Sequence, residues 1–124
     1  MKQLFAIALV MVAGFAMAEP DVARHQFTTA IENREPVDAL TDVMNVNPIY
    51  YFTELKDFQD TTVTHRWLFD GKVMAEVAFN VGGPRWRVYS SKQMLPEWDG
   101  DWTVEVVDQS GVVVATDVVA ISIE

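Results

Sequence analysis

Cysteine is absent from the 124 residues. No disulfide can brace the chain, so the ~2–4 kcal/mol that such a bridge typically contributes is missing. Lipoprotein processing, which modifies a cysteine, is excluded with it. Basic residues are scarce as well: nine Lys and Arg stand against eighteen Asp and Glu, for a net charge of −9. A surface of that sign repels phosphate backbones and anionic headgroups, so nucleic-acid binding is not expected. Histidine occurs only twice, at His25 and His65. Without cysteine or a second cluster these make no zinc site, and neither a metal nor another cofactor is expected. There is no internal repeat, low-complexity tract or linker.

One long apolar run is present, at the N-terminus. Met1-Lys2-Gln3 is a short positive start, Leu4 to Met17 carries no charge, and Ala16-Met17-Ala18 ends the run with small residues before Glu19-Pro20. Charged start, apolar middle and A-x-A end form the secretory pattern. The run falls short of the ~20 residues that a membrane-spanning helix needs. The expectation is a signal helix, residues 1–18, cleaved after Ala18, with no stable membrane insertion afterwards and delivery to the periplasm. Residues 19–124 then form a single domain with eight basic against eighteen acidic residues, a net of −10. That length suits one domain and is too short for two.

Beyond Val22 apolar and polar residues alternate with period two. The pattern predicts strands near 22–31, 48–55, 61–68, 73–81, 85–91, 102–107 and 112–123, the last broken near Asp117. Only Val37 to Met44 suggests a helical turn, with Val37, Leu40 and Met44 near one face. Seven short strands with turns between them argue for an all-β fold, an immunoglobulin-like antiparallel β-sandwich. The last two strands are apolar on both faces, which predicts cover on both sides. Trp67, Trp86 and Trp102 fall on inward parity and read as core.

Two turns set the expected face of the central sheet. A two-residue Asp70-Gly71 turn would set the apolar face of one strand against the polar face of the next, which a buried sheet does not accept. A three-residue loop, Phe69-Asp70-Gly71, instead pairs Trp67 with Val73, His65 with Ala75 and Val63 with Val77. At Gly82-Gly83 an even-length loop sets Phe79 opposite Trp86 and Val77 opposite Val88, with Pro84 at an edge. These registers gather Arg66, Met74, Glu76, Ala78, Asn80, Arg85, Arg87 and Tyr89 on one outer face. Three of the five Arg beyond the leader converge there on an otherwise acidic chain. Guanidinium forks suit carboxylate or phosphate and stack on rings. The bland alternative is that Arg66 and Arg87 pair with Glu76 and merely solvate the sheet.

Other constellations carry less. His65 lies between Val63 and Trp67 and reads as a core histidine with a satisfied ring. No Ser sits in a nucleophile-elbow context, so no catalytic residues are expected. Glu97, Asp99 and Asp101 alternate as calcium ligands can, but Trp102 stands where an EF-hand loop requires Gly, and a solvated turn is the default. Trp98, in a polar turn, is the Trp expected to show a face to solvent.

Thr64-His65-Arg66-Trp67, Gly83-Pro84-Arg85-Trp86-Arg87-Val88, Ser90-Ser91-Lys92 and Gly100-Asp101-Trp102-Thr103-Val104 occur in that order. With Glu35-Pro36-Val37-Asp38 and Tyr51-Phe52-Thr53-Glu54-Leu55 upstream, the chain resembles the bacterial family catalogued as domain of unknown function 2914, over nearly all of residues 19–124. The resemblance implies a small envelope β domain without an assigned reaction, and it draws attention to Arg66, Arg85, Arg87 and Lys92. The functional expectation is a non-enzymatic binding module for an acidic glycan or peptide, using Arg66, Arg85, Arg87 and Tyr89 with Lys92 and Trp98 nearby. A structural or assembly subunit of an envelope complex, pairing through an open sheet edge, is the alternative.

Overall fold

The computed structural model describes residues 19–124; the expected signal segment lies outside the described residues. Ten strands follow one another: β1 Asp21–Thr28, β2 Ile31–Glu32, β3 Glu35–Pro36, β4 Asp42–Met44, β5 Ile49–Lys56, β6 Thr62–Phe69, β7 Lys72–Asn80, β8 Arg85–Lys92, β9 Gly100–Val107 and β10 Val113–Ser122. A short 3-10 turn, Pro96–Trp98, is the one helical element among the described residues. Three strands form one sheet in the order β1-β5-β8, and five form the other in the order β4-β10-β9-β6-β7. β2 and β3 make a separate small hairpin. Every pairing is antiparallel except that of β4 with β10. The fold is all-β and immunoglobulin-like, two sheets enclosing one core.

Alternation builds that core. Along β6, Val63, His65 and Trp67 are buried while Thr62, Thr64 and Arg66 are not. Trp67, Trp102, Tyr51 and Phe27 are the largest fully buried side chains. Their rings meet edge to face, Phe27 to Tyr51 at 5.0 Å, Phe27 to Trp67 at 5.9 Å and Trp67 to Trp102 at 6.5 Å. That geometry suits the quadrupoles of aromatic rings. This packing stands in for the missing disulfide.

The core also holds a chain of polar groups that pins one sheet to the other. Trp67 Nε1 donates to Ser90 Oγ at 3.0 Å, and Ser90 Oγ lies 2.7 Å from His65 Nδ1. His65 Nε2 lies 3.0 Å from Thr53 Oγ1, whose hydroxyl donates to the Val88 carbonyl at 3.5 Å. If the ring carries its hydrogen on Nε2, every donor in the chain has an acceptor. Nearer the surface, Asp117 Oδ2 accepts from the Tyr51 hydroxyl at 2.6 Å and lies 2.6 Å from His25 Nδ1, again bridging the two sheets.

Several sequence expectations are corrected. Residues 37–44 are not helical. Leu40 bridges Phe27, and β4 pairs with the end of β10. A pattern of two turns is too short to hold a helix against a sheet edge that needs a partner.

The β6–β7 turn is the two-residue Asp70-Gly71 after all, with both residues left-handed at φ 52° and 74°. The parity conflict is removed by a bulge at Met74: Phe69 pairs with Lys72 and Leu68 with Val73, but Trp67 pairs with Ala75 and His65 with Val77. The expected parity therefore holds from Ala75 onward, with the register two residues from the expected one. It is reversed before the bulge: Val73, expected inside, is 49% exposed, and Met74, expected on the outer face, packs against the core. A Cβ at Gly71 would meet nothing within 4 Å, so only backbone strain opposes one. Gly71→Ala is expected to cost about 1 kcal/mol, measured as a lower urea midpoint with an unchanged m value.

The expected β7–β8 hairpin does not form. Residues 81–84 carry the chain from the five-stranded to the three-stranded sheet, where β8 pairs with β5 instead. Val81 anchors the crossover, buried and bonded through its amide to the Thr61 carbonyl at 3.0 Å. Trp86, expected in the core, is 38% exposed and lies against Gly82, where a Cβ would stand 2.8 Å from its ring. β10 runs unbroken through Asp117. Its Val113, Val114 and Val118 are exposed, and in β9 Thr103 and Glu105 are only half-buried between buried Trp102, Val104 and Val106, so the expected cover on both faces is found in neither strand.

Candidate functional site

The outer face of the three-stranded sheet carries a lattice of opposite charges. Along β8, Arg85, Arg87 and Tyr89 alternate with Trp86, Val88 and Ser90, so the first set points away from the core. Register places Glu54 of β5 beside both Arg24 of β1 and Arg87 of β8. The β2–β3 hairpin then arches over this face and lowers Glu35 onto it.

Each carboxylate is shared. Glu35 takes a two-pronged grip from Arg24, with Nη1 to Oε1 and Nη2 to Oε2 both at 2.8 Å, and Arg87 Nη1 also donates to Oε2. Glu54 accepts Arg24 Nε at 2.8 Å on Oε1 and Arg85 Nε at 3.0 Å on Oε2. The Arg24 guanidinium also stacks 5.0 Å from the centre of the Phe52 ring, which is fully buried although it points outward. The hydrogen bonds from Arg24 and then Arg87 hold the Glu35 carboxyl pKa down at about 2. Arg85, then Arg24, hold Glu54 below the usual carboxylate range against the opposing effect of its burial. Arg24 is raised in turn, Glu35 being the larger cause and Glu54 the next. Both glutamates therefore stay ionised at any physiological pH.

The lattice leaves positive charge over. Arg34 follows Asn33 in the two-residue turn between β2 and β3 and makes no ion pair among the described residues. Arg34 therefore adds a guanidinium that neither Glu35 nor Glu54 neutralises, on a strongly acidic domain. Arg34, Arg85, Arg87, Trp86 and Tyr89 line a cavity of about 310 Å³. Its volume is at the lower end for small-molecule sites. Arg87 bonds the lattice through Nη1 alone, so its other guanidinium nitrogens are available in the cavity. The arrangement can hold an oxyanion by forked hydrogen bonds beside the Tyr89 ring.

Of the residues singled out from sequence, Arg85, Arg87 and Tyr89 come together here. Arg66 does not. It lies on the other sheet between Glu76 and Glu105, with Nη2 2.7 Å from Glu105 Oε1 and Nη1 3.9 Å from Glu76 Oε2. Lys92 sits at the far end of β8 with its ammonium 4.6 Å from the centre of the Trp98 ring. Trp98 folds back on Trp102, ring centres 5.7 Å apart, and its carbonyl accepts the Trp102 indole N–H at 2.9 Å. Sequence reasoning missed Arg34 and Arg24. Asn33-Arg34 between short extended pairs was the available signal for a turn carrying an arginine.

Among the described residues no group of three His, Asp or Glu is placed to hold a metal ion. Asp99 accepts the Ile123 amide at 2.8 Å. A second cavity of about 330 Å³ is lined by Phe58, Asp108, Gln109 and Val114 among others. There Asp108 Oδ1 already accepts the amides of Ser110 and Val112, each at 2.9 Å.

No curated protein sequence matches the chain significantly. Among solved structures it is similar to the CARDB domain of a Pyrococcus furiosus protein in complex with di-metal ions. Identity there is 13% and the TM-score 0.50, over 88% of this chain and 99% of that one. At that identity the likeness concerns the fold alone. The chain is also similar to an alkylpurine DNA glycosylase of Pseudomonas fluorescens bound to DNA containing an abasic site analog, with 12% identity and a TM-score of 0.48. That match takes in 92% of this chain but only 33% of the glycosylase. Glu35 to Asp38 and Tyr51 to Leu55, which entered the sequence resemblance, lie outside the family match. From the turn before β6 to the middle of β10, residues 60–117 match the model of the family described as protein of unknown function (DUF2914), the family that the sequence motifs resemble.

Proposed function

We propose that this domain is a non-catalytic binding module for an acidic glycan or peptide, exported to the periplasm by its N-terminal leader. The observation that carries this reading is the surplus of guanidinium over carboxylate around the 310 Å³ cavity of Arg34, Arg85, Arg87, Trp86 and Tyr89. Arginine forks recognise carboxylate and phosphate oxygens, and the exposed Tyr89 ring beside them supplies a stacking surface. The one serine–histidine pair of the core, Ser90 with His65, is sealed from solvent, which favours binding over hydrolysis. Arg87→Ala is expected to lower retention on envelope material by roughly tenfold or more, since a hydrogen bond to a charged group contributes ~1.5–3 kcal/mol. The fold should survive, because Glu35 keeps its two bonds to Arg24. Affinity capture from envelope extract, beside a melting curve, measures both.

One observation favours a second reading, a structural or assembly subunit. Among the described residues β4 pairs only with Ala120 to Ser122 of β10, and the same edge has no partner strand from Val113 to Val118. Val112, Val113, Val114 and Val118 are 38–55% exposed there. A bare apolar edge can take up a partner strand. That reading requires a stoichiometric complex after crosslinking in the periplasm; a monomer at native abundance contradicts it.

A further inference from the structure

Arg34 occupies a backbone position that its side chain disfavours. Glu32 pairs with Glu35, so Asn33-Arg34 is a complete two-residue hairpin turn. Both residues are left-handed, at φ 52° and 63°. Asparagine is at home in the first place of such a turn, but the second strongly prefers glycine. A glycine in place of Arg34 would serve the fold as well or better. Strain kept where a simpler residue would relieve it points to the side chain.

Arg34 lines the same cavity as Arg85 and Arg87. Arg85 and Arg87 are partly spent on Glu54 and Glu35. Arg34 has no ion pair among the described residues, so it brings a full set of donors and one whole charge. Among the described residues the cavity is lined by three arginines and no carboxylate, and Arg34 has no ion pair, which suits a dianion better than a single carboxylate. Tyr89, on the same face and 46% exposed, offers ring surface beside the charges. Resting on the reading of this cavity as the binding site, we infer that Arg34 contacts ligand directly and that the group it selects is a phosphate monoester on a sugar unit. Such a group carries close to two charges at neutral pH and three acceptor oxygens, where a uronic acid carries one charge.

Calorimetric titration of the purified protein with glucose 6-phosphate and with glucuronate tests this, using wild type and Arg34→Gly. The wild type should bind glucose 6-phosphate at least tenfold more tightly than glucuronate. Arg34→Gly should lose that preference while its melting temperature stays level or rises, because glycine relieves the turn. Equal affinity for the two sugars overturns the dianion assignment and leaves the basic cavity standing as an acid-binding site. An undiminished preference in Arg34→Gly, or a fall in its melting temperature without a fall in affinity, overturns the role of Arg34. Binding of neither sugar by the wild type overturns this inference, whereas the proposed function fails only if retention on envelope material is unchanged in Arg87→Ala.

Discussion

At pH 5 the domain is expected to be about 2 kcal/mol less stable than at pH 7, through His65 alone. Burial holds the His65 imidazole down at about 3, from an ordinary value of 6.5. The unfolded chain therefore takes up a proton as pH falls through 6.5, while the folded chain does not until about 3. Stability conferred by the neutral ring is complete above 6.5 and falls by about 1.4 kcal/mol for each pH unit below it. The hydrogen bonds agree with the sign. Neutral His65 can accept from Ser90 and donate to Thr53, whereas a charged ring would push a second hydrogen at Ser90, which already receives the Trp67 indole N–H. Glu35 and Glu54, held low by their arginines, lose their contribution only below about pH 4.5, outside this window. Urea unfolding at pH 7 and pH 5, in wild type and His65→Gln, measures the effect. The variant should start lower and show a flatter dependence. His25 is common to both proteins, so the difference between them isolates His65. Equal stability of the wild type at the two pH values would contradict the assignment.

Trp67→Ala is expected to cost about 3–5 kcal/mol, the range for truncating a buried aromatic ring. Against a total of ~5–15 kcal/mol for a typical domain, that leaves little or nothing. Trp67 is fully buried, meets Phe27 and Trp102 edge to face, and supplies the hydrogen that ends the polar chain at Ser90. No disulfide limits the loss. Trp67→Phe separates the two contributions. It keeps most of the ring contact and forfeits the indole bond, so it should lose about 1 kcal/mol for the bond beyond the difference in ring size. Denaturation midpoints of the three proteins give the comparison; a Trp67→Ala protein as stable as wild type would contradict this picture of the core.

What could be read from sequence divides along one line. Side-chain parity was legible, because alternation is local: Val63, His65 and Trp67 point inward and Arg85, Arg87 and Tyr89 outward, as the pattern required. Strand partnership was not. Gly82-Gly83-Pro84 reads as a tight turn whether the chain returns to the same sheet or crosses to the other. The choice was made by β5, whose register sets Glu54 and Phe52 against Arg87 and Tyr89. The same non-local choice separated Arg66 from the other arginines and joined Arg24 and Arg34 to them. At Asp70-Gly71 the conflict of faces is legible, but a bulge at Met74 resolves it three residues beyond the turn. Nothing in the residue types distinguishes a bulge there from a longer loop.

The central claim is that binding belongs to the Arg34, Arg85 and Arg87 cavity and not to positive charge at large. Arg66 provides the control, being an arginine on the opposite sheet, already matched by Glu105 and Glu76. Retention on envelope material should therefore be compared among wild type, Arg87→Ala and Arg66→Ala, each with the same lost charge and each shown to be folded. Loss of retention in Arg87→Ala, with Arg66→Ala level with wild type, is the predicted result; equal behaviour of the two variants would contradict the account.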